Sequence, residues 1–309
     1  MANQGKEEKI DYFYMLPEGC LAHSISYTTP VDACRLRLVA SSVRLIADSN
    51  AVWERFLPSD YQQLISRAVP DDQGFVHYML TSTSKKEFYI FLCDQPLVID
   101  DGALSFSLDK PTAKKCFMIA ASELQITWGD SPLYWSWKSD PESRFEKVIE
   151  LMDVCWFEIR GKIDSSLLSP DTAYTTYLVY KAAGELSGFK DQPIEVSVGI
   201  SGEDSMNRTV YLDHNVEVQP RTTTLPKRRG LFHRFRAKQQ RPQAAVSQVA
   251  DNRYPVIRKD GWLEVELAEY YNKDLKNTEL EISLREVKKL NWKRGLVIQG
   301  IEIRPKVVM

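Results

Sequence analysis

The cysteines and histidines of this sequence lack the spacing that metal binding or redox chemistry requires. Five cysteines form an odd set at wide intervals and include no Cys-x-x-Cys pair. Four histidines are likewise too scattered to supply a set of metal ligands. These residues are Cys20, Cys34, Cys93, Cys116, Cys155, His23, His77, His214 and His233. We therefore expect reduced, mostly buried thiols, no metal site and no cofactor.

Two carboxylates, Glu264 and Glu266, form the kind of pair that a glycoside hydrolase uses for acid and base catalysis. They lie in the run Leu263-Glu264-Val265-Glu266-Leu267, where apolar and polar residues alternate. Such alternation is typical of a strand with one solvated face, and it explains the pair without catalysis. The sequence therefore favours a strand over a hydrolase site, and no catalytic residues are predicted.

A basic segment at 221–242 contains eight Lys or Arg and no acidic residue. Its centre, Lys227–Lys238, interleaves cations with aromatic rings, as in a nucleic-acid contact or a nuclear import signal. The same composition is also typical of a solvated insertion without a partner, and the sequence leaves this choice open. Because 40 Lys plus Arg oppose 42 Asp plus Glu in the whole chain, we do not expect nucleic acid to be the main partner.

The composition indicates a folded chain with more than one unit. Hydrophobic residues make up 43% and charged residues 27% of 309 residues, which is more chain than one compact core usually needs. The first fourteen residues are polar and charged, and no run approaches the ~18 apolar residues of a membrane span. We expect no membrane association and a location in the cytoplasm and nucleus.

Residues 16–68 carry recurrent helix signals. Thr29 is placed to cap a helix that begins at Pro30, with Asp32 in its first turn. A helical face is then predicted from residues at spacings of three and four, namely Leu36, Val39, Ala40, Val43 and Ala47. Ser59 and Gln62 predict a capping box for a further helix. The run Pro70-Asp71-Asp72-Gln73-Gly74 is expected to end that helix.

From about residue 87 onward the dominant period becomes two, which predicts strands with one buried face. The predicted strands lie at 154–161, 173–181, 194–200, 263–267, 280–284 and 295–303, with Arg304-Pro305 ending the last one. Their number and shortness favour a sandwich or jelly roll. Two exceptions are a short helix expected at 145–152 and a long disordered loop expected at about 219–256.

The N-terminal segment resembles an F-box in order and spacing over about forty residues. The matching runs are Leu16-Pro17-Glu18-Gly19-Cys20-Leu21, Thr29–Val39 and Ala51–Pro58. The resemblance implies a three-helix unit that binds a Skp-type adaptor. It also implies contact or core roles for Leu16, Pro17, Ile25, Val39 and Trp53, with Trp53 as the expected anchor. Val39 fits contact and core equally well, whereas Leu16-Pro17 is better explained by docking.

The remainder of the chain resembles the phloem protein two (Nictaba-like lectin) family. The resemblance lies in Cys116–Trp137, Val154–Ile163, Tyr177–Lys181, Arg258–Val265 and Gly300–Pro305, which occur in the family's order. It implies a carbohydrate site made by Trp128, Trp135, Glu279 and Glu286. The implied ligand is an N-acetylglucosamine-containing or related glycan, whose apolar sugar faces would stack on the aromatic rings.

Each implied site residue also has a structural interpretation. We expect Trp156 and Trp262 in the core because they lie in alternating strands. Trp128 and Trp135 flank a Gly-Asp-Ser-Pro turn, which favours the surface. For Glu279 and Glu286 the sequence leaves open a sugar contact or plain solvation.

The two resemblances together predict an α+β multidomain protein, with a small all-α F-box followed by an all-β sandwich or jelly-roll lectin-like domain. The predicted boundaries are a disordered 1–13, an F-box with a following helix at 14–70, a linker at 71–86 and a lectin-like domain at 87–309. The implied role is substrate recognition in a ubiquitin ligase built from a Skp-type adaptor, a cullin and a RING subunit. Alternatives are a stand-alone lectin with a degenerate F-box, or a ligase receptor that recognises protein. The target, the glycan and dimerisation through the lectin domain stay open.

Overall fold

The computed structural model describes residues 16–200, 205–213, 253–273 and 278–306. Within these ranges the chain forms seven α-helices followed by fourteen β-strands. The helices are α1 Glu18–Ser26, α2 Pro30–Leu36, α3 Ser41–Ala47, α4 Asn50–Phe56, α5 Tyr61–Ser66, α6 Pro70–Ser82 and α7 Lys85–Asp94. The fold class predicted from the sequence, a helical unit followed by a β-sandwich, is confirmed.

Two helix starts have the caps that local sequence chemistry favours. The Thr29 hydroxyl accepts a hydrogen bond from the Asp32 amide at 3.1 Å, and Pro30 opens α2, as predicted. Ser84 and Glu87 form a reciprocal capping box at the start of α7. The box predicted at Ser59 is wrong, because α5 begins after Asp60 and has no side-chain cap.

The single helical face predicted from Leu36 to Ala47 is also wrong, since a turn separates α2 from α3 there. Val39 lies in that turn and is 65% exposed. Residues 71–86, predicted as a linker, contain most of α6 and the beginning of α7. Pro70 begins α6 rather than ending a helix, because the first helical position needs no amide donor.

The strands form two antiparallel sheets. They are β1 Leu97–Ile99, β2 Leu104–Leu108, β3 Lys115–Ala120, β4 Gln125–Ile126, β5 Trp135–Lys138, β6 Val148–Leu151, β7 Phe157–Asp164, β8 Thr172–Ser187, β9 Ile194–Ile200, β10 Met206–Val210, β11 Val256–Ile257, β12 Leu263–Asn272, β13 Glu279–Glu286 and β14 Arg294–Pro305. The larger sheet runs β1-β2-β3-β14-β8-β12-β11, with β6 pairing β14 and β5 pairing β6. The smaller runs β10-β9-β13-β7-β4.

Alternation along the strands decides which side chains enter the core between the sheets. On β7, Phe157, Ile159, Gly161 and Ile163 are buried, while the alternate residues 158, 160 and 162 face outward. On β13 the buried positions begin at Leu280 and recur at every second residue as far as Glu286. The last strand ends at Pro305, as predicted. The helix expected at 145–152 is wrong, because Val148–Leu151 is strand β6, paired with β5 and β14.

The helices and the sandwich share one hydrophobic core. Trp53 of α4 packs against Tyr89 of α7, with ring centroids 5.2 Å apart. The Tyr89 hydroxyl donates to the Lys110 carbonyl at 2.9 Å, beyond β2. A single cluster of buried apolar side chains therefore extends from the first helix to the last strand.

Three expectations fall on parts of the chain that are not described. The disordered N-terminus at 1–13 and the basic segment at 221–242 lie outside the described residues, as does the loop at about 219–256 apart from its last four residues. None of the helices in the described part of the chain is long and apolar enough to cross a membrane.

Candidate functional site

A pocket of about 580 Å³ lies at one end of the sandwich. Three tryptophans with exposed rings line it: Trp128 after β4, Trp156 before β7 and Trp292 before β14. The rest of the lining is Thr127, Tyr134, Val154, Cys155 and Glu158. Most of this surface is therefore aromatic or apolar, and Glu158 is its one charged group.

Trp128 is held in a backbone conformation that bulky residues rarely adopt. Its φ is +64°, and its side chain is nevertheless 56% exposed. The turn is closed by the Gly129 amide, which donates to the Ile126 carbonyl at 2.9 Å, and by the Ser131 amide, which donates to the Trp128 carbonyl at 2.9 Å. An exposed ring in a strained turn does not stabilise a core, so the strain points to a functional constraint.

Trp156 and Glu158 face outward from the start of β7 because Phe157 between them faces the core. The Trp156 indole N–H donates to Glu158 Oε2 at 3.2 Å. Arg160 donates to Glu158 Oε1 from Nη2 at 2.6 Å and from Nε at 3.1 Å. The hydrogen bond from Arg160 lowers the pKa of Glu158 against the opposing effect of burial. The pocket therefore contains an ionised, oriented carboxylate that is a hydrogen-bond acceptor.

Trp292 lies beside Trp156 because two backbone hydrogen bonds join their segments. The Lys293 amide donates to the Val154 carbonyl at 2.7 Å, and the Val154 amide donates to the Lys293 carbonyl at 3.0 Å. Gly188 packs against the same turn with φ +78°, and a Cβ there would lie 2.0 Å from the Trp292 carbonyl oxygen. Trp292 is 56% exposed, so a tightly packed turn presents this ring to solvent.

Trp135 lies beneath the pocket rather than on its surface. Its side chain is 2% exposed, and its indole N–H donates to the Thr127 carbonyl at 3.1 Å. The ring also packs against Phe157, with centroids 6.5 Å apart. The expectation that Trp135 is a surface ring is therefore wrong, because Trp135 supports the turn that carries Trp128.

Neither of the two acidic residues implied for the sugar site lines the pocket. Glu279 pairs with Asp164 at the far end of β7, six residues from Glu158, and its carboxylate contacts Lys162 at 2.7 Å. At ~3.3 Å per residue that end lies roughly 20 Å from Glu158. Glu286 is buried on the inner face of β13, so the alternative of plain solvation is wrong for it.

The arrangement is suited to binding a ligand. Flat aromatic faces with one fixed acceptor match a ligand that has both an apolar face and hydroxyl or amide donors. Among the described residues no cluster of His, Cys, Asp and Glu is arranged to hold a metal ion.

A model of the family Phloem protein 2 matches residues 114–305, which is more than half of the chain. The chain belongs to the phloem protein 2 family. Its similarity to curated relatives extends over nearly the whole sequence, including the helical segment outside that match. The F-box protein PP2-B10 of Arabidopsis thaliana is 38% identical, with 96% of this chain and 95% of the relative covered. The F-box protein SKIP3 of the same plant is 37% identical, with 95% and 88% covered. The chain is thus an F-box protein with a phloem protein 2 domain.

Solved structures resemble this phloem protein 2 chain only weakly. A family 35 carbohydrate binding module from Clostridium thermocellum has a TM-score of 0.29 at 6% identity, covering 61% of this chain and 96% of that one. A Podospora anserina GH26-CBM35 β-(1,4)-mannanase has a TM-score of 0.31 at 9% identity, covering 63% and 28%. Likeness at this level supports no argument about the ligand.

The residues implied for adaptor binding in this F-box protein divide into two groups. Leu16 and Pro17 are exposed at the start of α1, and Val39 is exposed after α2, so all three are accessible to a partner. Ile25 and Trp53 are buried in the helical core. Of the contact and core roles implied for these residues, Trp53 therefore has the core role, and the expectation that it anchors the adaptor contact is wrong, because Phe56 and Tyr89 already cover its ring.

Trp156, Trp292 and Glu158 were not predicted as site residues from the sequence. The core assignment of Trp156 is wrong, since the ring is 44% exposed, whereas that of Trp262 is confirmed. Alternation along β7 indicates that Trp156 is exposed. The buried residues 157, 159 and 163 are separated by even numbers of residues, and Trp156 lies one residue before this series. Trp292 lies in an irregular turn, where no periodic signal exists.

Proposed function

We propose that this F-box protein is the substrate-recognition subunit of an SCF-type ubiquitin ligase and selects glycosylated targets through its aromatic pocket. The observation that carries the proposal is that one continuous core joins F-box-type helices to a sandwich with three exposed tryptophans around one cavity. The chain itself performs no catalysis. It holds a target near a ubiquitin-loaded enzyme and thereby raises the effective concentration of the reacting groups. We place this assembly in the cytoplasm and nucleus.

The adaptor-binding half of the proposal is supported by exposed apolar side chains at the N-terminal end of the helical unit. Leu16 is exposed before α1, Leu38 and Val39 in the turn after α2, and Leu45 on α3. Large apolar side chains left in water on a small helical unit are typical of a protein-binding surface. Curated relatives that are named F-box proteins support a Skp-type adaptor as the partner.

The glycan-binding half is supported by the chemistry of the pocket. Indole faces stack against the apolar faces of pyranose rings, and the Glu158 carboxylate accepts hydrogen bonds from sugar hydroxyl or acetamide groups. The family resemblance implies N-acetylglucosamine-containing glycans. We therefore take N-acetylglucosamine oligomers as the first probe.

Adaptor binding is tested by capture of a purified Skp-type adaptor on the full-length chain. Replacement of both Leu38 and Val39 by Asp is expected to reduce capture at least tenfold, because it places two charges in the apolar contact. The matched control is Tyr78→Asp on α6, an exposed aromatic outside the proposed surface. Equal capture by wild type and the double variant would reject this surface. Absence of capture by wild type would favour a stand-alone lectin with a degenerate F-box.

Glycan binding is tested by calorimetry with the N-acetylglucosamine trimer. Wild type is expected to bind, and Trp128→Ala is expected to weaken binding without unfolding the protein. The control is Trp137→Ala, which removes an exposed ring that does not line the pocket. If wild type binds none of a glycan panel yet retains partners from glycosidase-treated extract in a Trp128-dependent manner, the receptor recognises protein instead.

A further inference from the structure

Glu286 occupies a core position at the end of β13. Alternation along this strand places it on the same inward face as Leu280, Ile282 and Leu284. Its carboxylate pairs with Lys293, with Oε2 and Nζ 2.5 Å apart, and the two side chains are 3% and 0% exposed. A pair that solvent does not reach cannot exchange its partner for a soluble ligand without opening the turn.

The remaining polar contacts of the pair all go to the turn between β13 and β14. Glu286 Oε1 accepts the backbone amides of Lys288 and Lys289 at 3.0 and 2.7 Å. Lys293 Nζ donates a further hydrogen bond to the Asn291 carbonyl at 2.8 Å. The carboxylate and the ammonium thus hold both ends of a seven-residue connection, 287–293, from the inside.

This connection carries Trp292 on its outer side. Lys293 exchanges two backbone hydrogen bonds with Val154, which places Trp292 against the segment that carries Trp156. Gly188 closes the other side of the turn, where no Cβ fits beside the Trp292 carbonyl. The position of the exposed ring is therefore set by buried contacts that end at Glu286.

We propose that Glu286 is a positioning residue for the aromatic pocket, which fixes Trp292 through Lys293 and does not touch the ligand. The inference rests on the proposed glycan-binding function of the pocket. It assigns to this carboxylate a different role from the sugar contact that the family resemblance implies. Burial alone would raise the pKa of Glu286, but hydrogen bonds from Lys293 and from two amides outweigh burial and lower it. The Glu286 carboxylate is therefore ionised at neutral pH.

The decisive experiment is a double-mutant cycle on binding of the N-acetylglucosamine trimer. Glu286→Gln is expected to weaken binding about tenfold in the wild-type background and less than about twofold in the Trp292→Ala background. The reason is that Gln leaves Lys293 buried without its counterion, which affects the ligand only through Trp292. A Glu286→Gln effect of the same size in both backgrounds would show that Glu286 acts independently of Trp292 and would overturn the proposal. The matched control is Glu279→Gln on the same strand, which is expected to change nothing.

A rescue variant covers the case in which Glu286→Gln is poorly folded. In E286Q/K293M the Gln oxygen still accepts the two amides, and no unpaired buried cation remains. Binding by this variant is expected within about threefold of wild type, because the turn is held without the charge pair. A folded E286Q/K293M protein that has lost binding would overturn the proposal, since it would show that the carboxylate itself is needed.

A ligand-free measurement separates this inference from the proposed function. The near-UV circular dichroism difference between wild type and Trp292→Phe defines the signal of a positioned Trp292 ring. The near-UV difference between E286Q and E286Q/W292F is expected to be much smaller, because Trp292 is no longer held in one position. If wild type binds no trimer, the glycan proposal fails while this spectrum still decides the role of Glu286. An unchanged difference spectrum would overturn the positioning role.

Discussion

The seam between the helices and the sandwich buries its aromatic rings, whereas the open end of the sandwich exposes them. Behind the seam, in α4, Trp53 packs on Tyr89, is 1% exposed, and its indole N–H donates to the Ala47 carbonyl at 2.7 Å. At the open end, Trp128, Trp156 and Trp292 keep about half of their surface in water. A tryptophan that is buried with its N–H satisfied stabilises the fold, and one held exposed in a tight turn is available to a ligand.

The two regions also differ in backbone conformation, which is regular around the buried ring and irregular around the exposed rings. Trp53 lies within a regular helix, α4, whereas Trp128 has a positive φ and Trp292 precedes a strand in an irregular turn. Strain is tolerated at the open end because buried groups beneath it hold the turns in place. The pocket therefore depends on its supporting interior as much as on the rings that line it.

The seam also sets the geometry between the proposed adaptor-binding surface and the pocket. Besides the hydrogen bond from Tyr89 to the Lys110 carbonyl, Lys115 and Asp60 form an ion pair at 3.0 Å, and Arg67 Nε donates to Asp100 at 2.8 Å. These contacts join the helical unit to the sandwich at several separate points. In the proposed receptor they hold the adaptor-binding helices and the pocket in a fixed relation, which favours transfer of ubiquitin to a bound target.

The largest expected effect lies in the helical unit behind the seam. Trp53→Ala should lower the free energy of unfolding by about 3 to 5 kcal/mol, because it leaves a cavity between α4 and α7 and an unsatisfied Ala47 carbonyl. Urea unfolding followed by circular dichroism measures the change. Trp137→Ala, which removes an exposed ring of β5, is the control and should cost less than about 1 kcal/mol. Equal costs for the two variants would contradict the distinction between buried and exposed rings.

The next effect tests whether the pocket depends on its interior support. Trp135→Ala should destabilise the protein by about 3 kcal/mol, at the low end for a buried ring because the Thr127 turn can partly relax. It should also weaken glycan binding, since Thr127 precedes the strained Trp128. Denaturant unfolding and trimer calorimetry on the same preparation give both values. A stable variant with lost binding would instead place the Trp135 ring in contact with the ligand.

The strands could be predicted from the sequence because alternation is a local signal. The same signal also indicated the face of each residue, and two interpretations failed because parity was not followed along the strand. Glu286 shares parity with Leu284 and is therefore inside, whereas Trp156 has the opposite parity to Phe157 and is therefore outside. Both errors concern residues at or beside the pocket, where an acidic side chain is buried and an aromatic side chain is exposed, the reverse of the usual pattern.

Other features could not be predicted because they depend on contacts between distant parts of the chain. Trp292 enters the pocket only because Lys293 pairs with Val154, and no local pattern at 287–293 signals that pairing. The helix α6 was missed since Pro70-Asp71-Asp72 is equally typical of a turn and of a helix start. Tertiary packing of Val76 against the core selects the helix.

A smaller effect is expected when an exposed ring is removed. Trp156→Ala should weaken binding of the N-acetylglucosamine trimer by about 1 to 3 kcal/mol, because it removes stacking surface and frees one oxygen of Glu158. Its unfolding free energy should stay within about 1 kcal/mol of wild type, since nearly half of the ring is already in water. Calorimetry and a thermal melt give both values. A large loss of stability would return Trp156 to the core, as the sequence had indicated.

The smallest effect concerns the charge of the pocket, and it distinguishes a fixed acceptor from a titrating one. The hydrogen bond from Arg160 outweighs burial and lowers the pKa of Glu158 below its ordinary value of 4.5. A depressed pKa means that the carboxylate is ionised above 4.5 and is protonated only as the pH falls through the lower value in the folded protein. Glycan affinity should therefore be constant between about pH 8 and about pH 5.

Glu158→Gln, which keeps one acceptor oxygen, should weaken binding by only about 1 kcal/mol at neutral pH. Calorimetry of both proteins across this range tests the expectation. A fall in wild-type affinity between about pH 7 and about pH 5.5 would require a group with a higher pKa in the site, and the pocket lining within the described chain contains no histidine to supply one.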